Sequence, residues 1–461
     1  MILFQRITFL TMMVALPLTL HAEGPGIPAN SAPAAERSVS SGTVGGASLP
    51  ELIAVALANN PELSAATFDK SAAEARTISA IGSRLPRFNV EGGYTIYSDD
   101  LRLVAASYNG EVGVFGNNVL AADLVLRLPL YAGGRLVAEQ RAAELLEASA
   151  GKRLSRSRED LVYNVSSLYY TLLDQEKLIA SLSFSVKTME GQLERANRLI
   201  AARKAARVDA LRTEVKLADL RQRVMREQNS LNVLRQALMN LLGKTDGSSN
   251  LAISGELQAP TLDVRTIETL TKTALERRQD AIAARTELDA QEARVAAARA
   301  GHWPTVNLVG AVGWRQMVDP SQEPKGQDAG RDASRIGITV DIPLFEGGRT
   351  NARISEEQAK YSSQSRRLDK LLLQVRLEVQ TALANLNSGL ERLRSTDRAT
   401  ELAAESLRIE EEKYALGRGA VLDVLDAQTA LLDAETTHIR ALADANAAAA
   451  QLAWATGENL P

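Results

Sequence analysis

The chain of 461 residues contains an internal repeat, with the same order of sequence segments in each half. "LRLPLYAGGRL" from Leu126 returns as "VDIPLFEGGRT" from Val340, and "RLPRFNV" from Arg84 returns as "HWPTVNL" from His302. The offset between the copies is about 218 residues before the predicted strands and about 214 residues after them. A long repeat constrains the whole fold, because each copy must form the same set of elements. The sequence therefore predicts two tandem halves, 48–248 and 262–461, joined by a linker at 249–261.

Each half is expected to run helix, strand, strand, very long helix and helix. In the first half the helices are predicted at about 62–84, from Arg135 to about Ala201, and from Arg207 to Leu242. The longest helix has apolar residues at steps of three and four, with one polar interruption at Gln175, which is the heptad pattern of a coiled-coil seam. These residues include Leu161, Val165, Leu168, Leu172, Ile179, Leu182, Val186 and Met189.

The predicted helix lengths indicate a tall wall. A helix of about 67 residues spans about 100 Å at a rise of 1.5 Å per residue. The helices of about 36 and 23 residues span roughly 54 and 35 Å, so that stacked end to end they nearly match the long one. Each chain would thus supply a wall four helices wide with two open edges.

The predicted strands alternate between apolar and polar residues. In the second strand Leu124, Leu126 and Leu128 point to one face, whereas Asp123 and Arg127 point to the other. Such alternation over about ten residues is typical of membrane β-strands, although a half-buried strand of a soluble sheet gives the same pattern. Aromatic residues beside these segments favour the membrane, because aromatic side chains gather at its interfaces. The predicted strands lie at about 87–97, 119–130, 304–315 and 335–345.

Four strands in one chain cannot close a barrel, and an open edge in lipid leaves backbone groups unpaired at several kcal/mol each. A dimer would supply eight strands, which side chains fill, and a trimer would supply twelve, which leave a lumen. A conducting assembly therefore favours a trimer. The predicted fold is an α+β membrane protein, with a trimeric 12-stranded β-barrel above a 12-helix α-barrel.

The repeated Pro-Leu-aromatic-Gly-Gly-Arg segments are predicted to join each outward-facing strand to a long helix. Paired glycines suit such a junction because they adopt positive φ and allow close backbone approach. The junction residues are Pro129, Gly133, Gly134, Pro343, Gly347 and Gly348.

The N-terminus has the features of a secretory signal peptide over residues 1–22, with an apolar run from Ile7 to Leu20 and a small residue at Ala22. A transmembrane anchor is the alternative, but the run is short and contains Pro17. Residues 23–47 are rich in Gly, Pro, Ser and Ala, which predicts a flexible leader.

The composition argues against several classes of function. The net charge of −3 gives no support for nucleic-acid binding. The chain has no cysteine and only three histidines, and no catalytic triad, phosphate loop or metal-ligand spacing is present. We therefore expect no enzyme activity, no metal and no cofactor.

These segments resemble the TolC family of outer-membrane channel proteins, which serve efflux pumps and type I secretion. The resemblance rests on "ALANNPEL", "LPLYAGGR", "IPLFEGGR" and "YALGRGAVLDVLDAQTALLDAE", and covers roughly Leu49 to Gly457. It implies a homotrimer with a β-barrel in outer-membrane lipid, continuous with a helical tunnel through the periplasm. The tunnel would meet a periplasmic adaptor linked to an inner-membrane transporter, and the chain would be a passive exit duct.

The resemblance also implies roles for the turns that follow the long helices. These turns, "AARKAARVD" and "ALGRGAVLD", would dock the adaptor, although the first has no glycine and is unusually basic. The docking residues would be Ala205, Arg207, Gly417, Arg418 and Gly419.

Just past the second turn, Asp423 and Asp426 lie three residues apart on one helical face. In a trimer they would form a ring of about six carboxylates, and such rings attract cations. The resemblance implies that these residues constrict a closed periplasmic mouth, latched by Asp209 and Tyr414. The alternative is a helix cap at Asp423 and a solvated charge at Asp426.

A second function stays open on the sequence alone. A soluble periplasmic coiled-coil adaptor or scaffold would share the export signal and the heptads, but would not need strands that face lipid.

Overall fold

The computed structural model describes residues 46–104, 112–203, 206–244, 253–261, 263 and 265–458. The predicted signal peptide, most of the predicted leader and Ala205 lie outside the described residues.

Helices dominate the described chain, and a small antiparallel sheet lies at one end of the longest helices. The elements in chain order are α1 (Leu49–Asn59), α2 (Pro61–Gly82), β1 (Arg87–Leu103), β2 (Val114–Ala132), α3 (Arg135–Ala201), α4 (Arg207–Leu241), α5 (Ile267–Arg277), α6 (Gln279–Arg299), β3 (Thr305–Val318), β4 (Gly330–Asp341), α7 (Arg349–Ala415) and α8 (Val421–Thr456).

The elements of the two halves correspond in pairs. Helices α1 and α5 each have 11 residues, and α3 and α7 each have 67. Helices α2 and α6 begin at Pro61 and Gln279, and α4 and α8 begin at Arg207 and Val421. These starts keep the offsets of about 218 and 214 residues read from the sequence.

A helix break at Asn60 separates α1 from α2, so that a further helix precedes the one predicted at about 62–84. Pro61 disfavours a helical conformation at the residue before it, which explains the break. The Asn60 side chain accepts a hydrogen bond from the Leu63 N–H at 3.0 Å and donates one to the Leu241 carbonyl at 2.9 Å. The break is thereby tied to the end of α4.

The strands form one antiparallel sheet in the order β1-β2-β3-β4. Strand β4 ends at Asp341, earlier than the predicted 345, and its last pair is Asp341 with Thr305. Pro343 has no N–H to donate to a continuing ladder, which accounts for the difference. Within the described chain, β1 and β4 each pair on one side only.

The helices pack into a wall around α3. Next to the sheet the order across the wall is α2, α3, α6 and α7. At the other end of the wall, next to the turns that follow α3 and α7 (the far turns), the order is α4, α3, α8 and α7. Each long helix therefore runs beside two shorter ones stacked end to end. Within the seam of α3, Val165, Leu172 and Met189 are buried. Across the described residues, no helix combines the length and the apolar content needed to cross a membrane.

A cluster of side chains around Trp454 joins the two halves of the chain, midway along the long helices. The indole N–H of Trp454, on α8, donates a hydrogen bond of 2.7 Å to Asp160 on α3. The Tyr163 ring stacks on the indole at 5.1 Å between centroids, and the Arg156 guanidinium lies 4.3 Å from the indole ring centre. Cations over an indole face are attracted by its ring quadrupole.

Arg278 extends the same cluster from the break between α5 and α6. Its side chain is 2% exposed and its guanidinium lies 5.4 Å from the Trp454 ring centre. It forms ion pairs of 2.7 Å with Asp280 and 2.5 Å with Glu378. Arg278 thus joins α6 to α7 beneath the end of α8.

Candidate functional site

One face of the sheet is apolar and exposed. Because paired residues share a face, Phe88 with Leu126 and Val90 with Leu124 and Val312 form continuous apolar rows. Several large apolar side chains on this face are each at least half exposed to solvent. They are Phe88, Val90, Tyr94, Ile96, Leu124, Val312, Ile336, Ile338 and Val340.

The other face of the sheet is polar and more closely packed. Arg315 makes an ion pair of 2.5 Å with Asp123, and Arg127 makes one of 2.9 Å with Glu91. Val125 lies among them and is 1% exposed. A sheet with one exposed apolar face and one charged face suits lipid on one side and water on the other.

The strand-to-helix junctions use consecutive left-handed glycines. Gly133 and Gly134 have φ of 62° and 86°, and Gly347 and Gly348 have φ of 62° and 82°. An L-residue pays a steric penalty in this region, so glycine is favoured at both positions of each junction. At the first junction the chain also approaches Trp303 and Ala300 closely, since a Cβ on Gly133 would lie 2.6 Å from the Trp303 Cβ.

Replacement of Gly133 by alanine is expected to destabilise the fold more than the same change at Gly134. Both changes incur the left-handed penalty of roughly 1–2 kcal/mol. Only the Gly133 methyl would also meet the Ala300 carbonyl oxygen, at 2.8 Å, whereas nothing lies within 4 Å of a Cβ on Gly134. Overpacking of this kind adds about 1–3 kcal/mol. Denaturant titration of the two variants in detergent measures the difference, and equal midpoints would contradict the close approach.

The turns that follow α3 and α7 each have a left-handed residue at the matching position but differ in sequence. Gly417 follows α7 with φ of 70°, and Arg203 takes the matching place after α3 with φ of 59°. Arg207, Arg418 and Gly419 lie at or beside the ends of the flanking helices. The first turn therefore holds an arginine in a conformation that glycine adopts at lower cost.

Tyr414 lies where the last turn of α7 meets an apolar cluster of α3, α4 and α8 that includes Leu217 and Leu425. Burial raises the pKa of the Tyr414 hydroxyl, the negative charge of Asp209 raises it further, and Arg195 opposes them. Asp209 and Tyr414 are thus brought within electrostatic range of each other from opposite halves of the chain. No direct hydrogen bond joins them in the described part of the chain.

Asp423 and Asp426 are both exposed in the first turns of α8. The Asp423 carboxylate accepts a hydrogen bond from the Ala420 N–H at 3.2 Å, as a helix-capping residue does. Asp426 makes no hydrogen bond or ion pair with any described residue. A capping bond at Asp423 does not exclude a second role, since the carboxylate keeps its charge and its exposure.

The sequence reasoning missed two features of the structure. One is the cluster around Trp454 and Arg278, whose signal was a tryptophan in a chain with only three. The other is Asp174 on α3, a carboxylate with one buried oxygen that has no hydrogen-bond partner among the described residues. No local pattern marks Asp174, because its neighbours come from α4 and α8.

Comparison with known proteins agrees with this arrangement. The family model described as outer membrane efflux protein matches residues 52–244 and 270–458. The chain is 22% identical over 386 residues to the outer membrane protein TolC of Escherichia coli (strain K12), covering 82% of this chain and 75% of that one. It is 23% identical over 394 residues to the proteases secretion protein PrtF of Dickeya chrysanthemi, covering 85% and 84%.

The fold is also that of a solved structure. The crystal structure of the outer membrane protein VceC from Vibrio cholerae superposes with a TM-score of 0.74 and 21% identity, covering 89% of this chain and 96% of that one.

The fold and these relatives define a class, the channel proteins of the Gram-negative outer membrane that act in efflux and secretion. The chain belongs to the outer membrane efflux protein family, which is the TolC family. It is therefore an outer-membrane channel protein of efflux or secretion.

Proposed function

We propose that three copies of the chain form one exit duct, with a 12-stranded β-barrel in outer-membrane lipid and a 12-helix tunnel in the periplasm. The duct receives its substrates from a periplasmic adaptor and an inner-membrane transporter and conducts them passively to the outside. Residues 1–22 direct export and are removed, residues 23–47 form the leader, and the channel repeats occupy 48–248 and 262–461, with a linker at 249–261.

The observation that supports this assembly best is the four-stranded sheet itself. It has an exposed apolar face and two strands, β1 and β4, that each pair on one side within the described chain. Backbone groups at a strand edge cannot stay unpaired in lipid, so the edges must be paired by other copies. Three copies give twelve strands and an open lumen, whereas eight strands would be filled.

The proposal is tested by mass and conductance together. The protein is purified from outer membranes in detergent, its oligomer is weighed, and the same material is inserted into a planar bilayer. A trimer that conducts is expected. A protein that salt alone removes from membranes and that does not conduct would instead be the soluble periplasmic scaffold.

At the periplasmic end, Asp423 and Asp426 would ring the mouth, and Asp209 and Tyr414 would latch it. The proximity of Asp209 to Tyr414 supports the latch. The two turns, with Ala205, Arg207, Gly417, Arg418 and Gly419, would dock the adaptor.

Removal of the two aspartate charges is expected to lower cation selectivity several-fold. Asp423→Asn with Asp426→Asn keeps an oxygen that can cap α8 while it removes up to six charges from the ring of a trimer. The reversal potential in a salt gradient measures the change. Glu62→Gln with Glu276→Gln removes as many exposed charges from helices that do not reach the turns, and should leave selectivity unchanged. Equal selectivity of all three proteins would exclude the ring.

A further inference from the structure

We infer that, next to the sheet, the helix seam between two copies repeats the seam inside one chain, so that Asp69 of one copy binds Ser363 and Arg367 of the next. The inference rests on the proposed closed assembly and names the contacts that close its helical wall next to the sheet.

The seam inside one chain lies between α3 and α6. Glu287 on α6 accepts a hydrogen bond from the Ser149 hydroxyl at 2.5 Å and forms an ion pair with Arg153 at 2.5 Å. Ser149 is 1% exposed, and Ala283 and Ala290 on either side of Glu287 are buried as well. Small residues let the two helices approach, and the carboxylate between them fixes their register through a serine and an arginine.

The repeat places the same groups on the free edges of the wall. At the two offsets, Asp69 on α2 takes the place of Glu287, and Ser363 and Arg367 on α7 take the places of Ser149 and Arg153. Ala65 and Ala72 flank Asp69 as Ala283 and Ala290 flank Glu287. Both sets of residues thus contain a carboxylate, a serine hydroxyl, an arginine and two alanines at matching positions.

These edge residues lack the partners that their counterparts have. Asp69, Ser363 and Arg367 are all exposed. None of the three makes a hydrogen bond or an ion pair with another residue of the described chain. Ala65 and Ala72 are exposed too, so that the whole stripe is open on α2 while the matching stripe on α6 is covered by α3.

Only a second copy can bring the two edges together. Helices α2 and α7 stand at opposite ends of the wall, with α3 and α6 between them. A ring of copies places α7 of one chain beside α2 of the next, in the order in which α3 lies beside α6. The charges then complement each other, with an arginine on α7 facing an aspartate on α2.

The correspondence is confined to the part of the wall next to the sheet. The counterparts of Trp454, Arg156 and Asp160 are Asn240, Lys370 and Gln374, which cannot rebuild the indole cluster. The general similarity of the two halves therefore does not by itself place matching partners along the whole length of the seam. The Ser-Arg-acid set is preserved where it is needed to join copies, whereas the indole cluster is present once.

Cysteine cross-linking tests the seam directly, since the chain has no cysteine of its own. In the variant Asp69→Cys with Ser363→Cys, a short bifunctional reagent that alkylates one thiol at each end is expected to link copies in the membrane. A denaturing gel should then show a ladder that ends at the closed ring. The variant Ser149→Cys with Glu287→Cys is the matched positive control, because it should link within one chain and give no ladder.

A shifted pair tests the register. Asp69→Cys with Gln374→Cys moves one thiol 11 positions, about 16 Å along α7, and should not link. The inference is overturned if a conducting oligomer of the expected mass gives no ladder while the within-chain control links, or if the shifted pair links equally well. Failure of the proposed function looks different, because the unmodified protein would then neither assemble nor conduct.

A charge exchange gives a second readout that does not depend on a linker. Asp69→Arg and Arg367→Asp should each lower the temperature at which the detergent-solubilised oligomer dissociates, because each places like charges across the seam. The two changes combined should restore much of the loss. If the combined variant dissociates at a temperature no higher than the single variants do, the ion pair between copies is excluded.

Discussion

Replacement of Arg278 by alanine is expected to cost about 3–5 kcal/mol of folding free energy, the range for removal of one partner from a buried ion pair. Arg278 is almost fully buried and is paired with Asp280 and Glu378, and it also donates to the Ala455 carbonyl at 3.4 Å. Without it the partly buried carboxylates of Asp280 and Glu378 would lose the arginine that pairs with both, and of the two only Asp280 would keep a second cation of the described chain, Arg156, within electrostatic range. The indole of Trp454 would also lose a cation from its ring face.

Arg277 provides the matched control for this prediction. It is the adjacent residue and an arginine as well, but its side chain is exposed. Arg277→Ala should therefore change the free energy of unfolding by no more than about 0.5 kcal/mol. Denaturant titrations in detergent compare the two variants. If both lose the same small amount, the cluster around Trp454 does not hold the halves together.

Replacement of Asp174 by asparagine is expected to stabilise the protein at neutral pH by up to about 3 kcal/mol, since one pKa unit corresponds to about 1.4 kcal/mol. Burial raises the pKa of the Asp174 carboxyl from its ordinary 3.8 to about 6; Arg440 opposes this shift, and Asp444 and Glu227 add to it. The folded protein thus carries a carboxylate that ionises at a free-energy cost.

The pH dependence has a definite sign. Below about pH 4 the carboxyl is protonated in both the folded and the unfolded chain. As pH rises from about 4 to about 6 the unfolded chain gives up its proton first, so that the folded state loses stability until its own carboxyl has ionised. Stability from this group is then constant at higher pH. Asp174→Asn should remove this slope and match the parent protein near pH 4.

Asp444→Asn controls for charge removal near the same site. Asp444 is exposed and pairs with Arg392 at 3.1 Å, an interaction worth little at a surface. Its replacement should leave most of the slope between pH 4 and 6 in place, because burial raises the pKa of Asp174 more than Asp444 does. Chemical denaturation at pH 4.5 and 7.5 measures both variants. An unchanged slope in Asp174→Asn would show that another group titrates.

Local sequence patterns predicted much of the architecture. The alternation at Leu124, Leu126 and Leu128 indicated a strand with one apolar face, and the structure places their row partners Phe88 and Val312 on an exposed face of the sheet. The doubled glycines indicated junctions at positive φ, as found at Gly133 and Gly347. These predictions succeeded because period-two alternation and left-handed glycines depend on neighbours in the chain.

The ends of the helices and strands were harder to predict from the sequence. Helix α1, which precedes the break at Asn60 and Pro61, was not predicted. The apolar alternation of β4 continues past Asp341 to Ile342 and Leu344, although the strand ends before Pro343. The first turn was also unexpected, because Arg203 adopts the left-handed conformation that the second turn assigns to Gly417. The trimer, the acidic ring and the latch are statements about an assembly and stay predictions.

The sequence by itself determined the repeat, which a comparison of the two halves shows. It also determined the strand and helix periods and the two glycine junctions, because these depend on residues near one another along the chain. Only the tertiary structure decided which helices meet, and with that the buried pairing of Arg278 with Glu378 and the raised pKa of Asp174. Arg278 and Glu378 are 100 residues apart, and Trp454 and Asp160 are 294 apart. Such groups lose water and acquire partners only when the helices pack, since desolvation depends on distance in space and not on position along the chain.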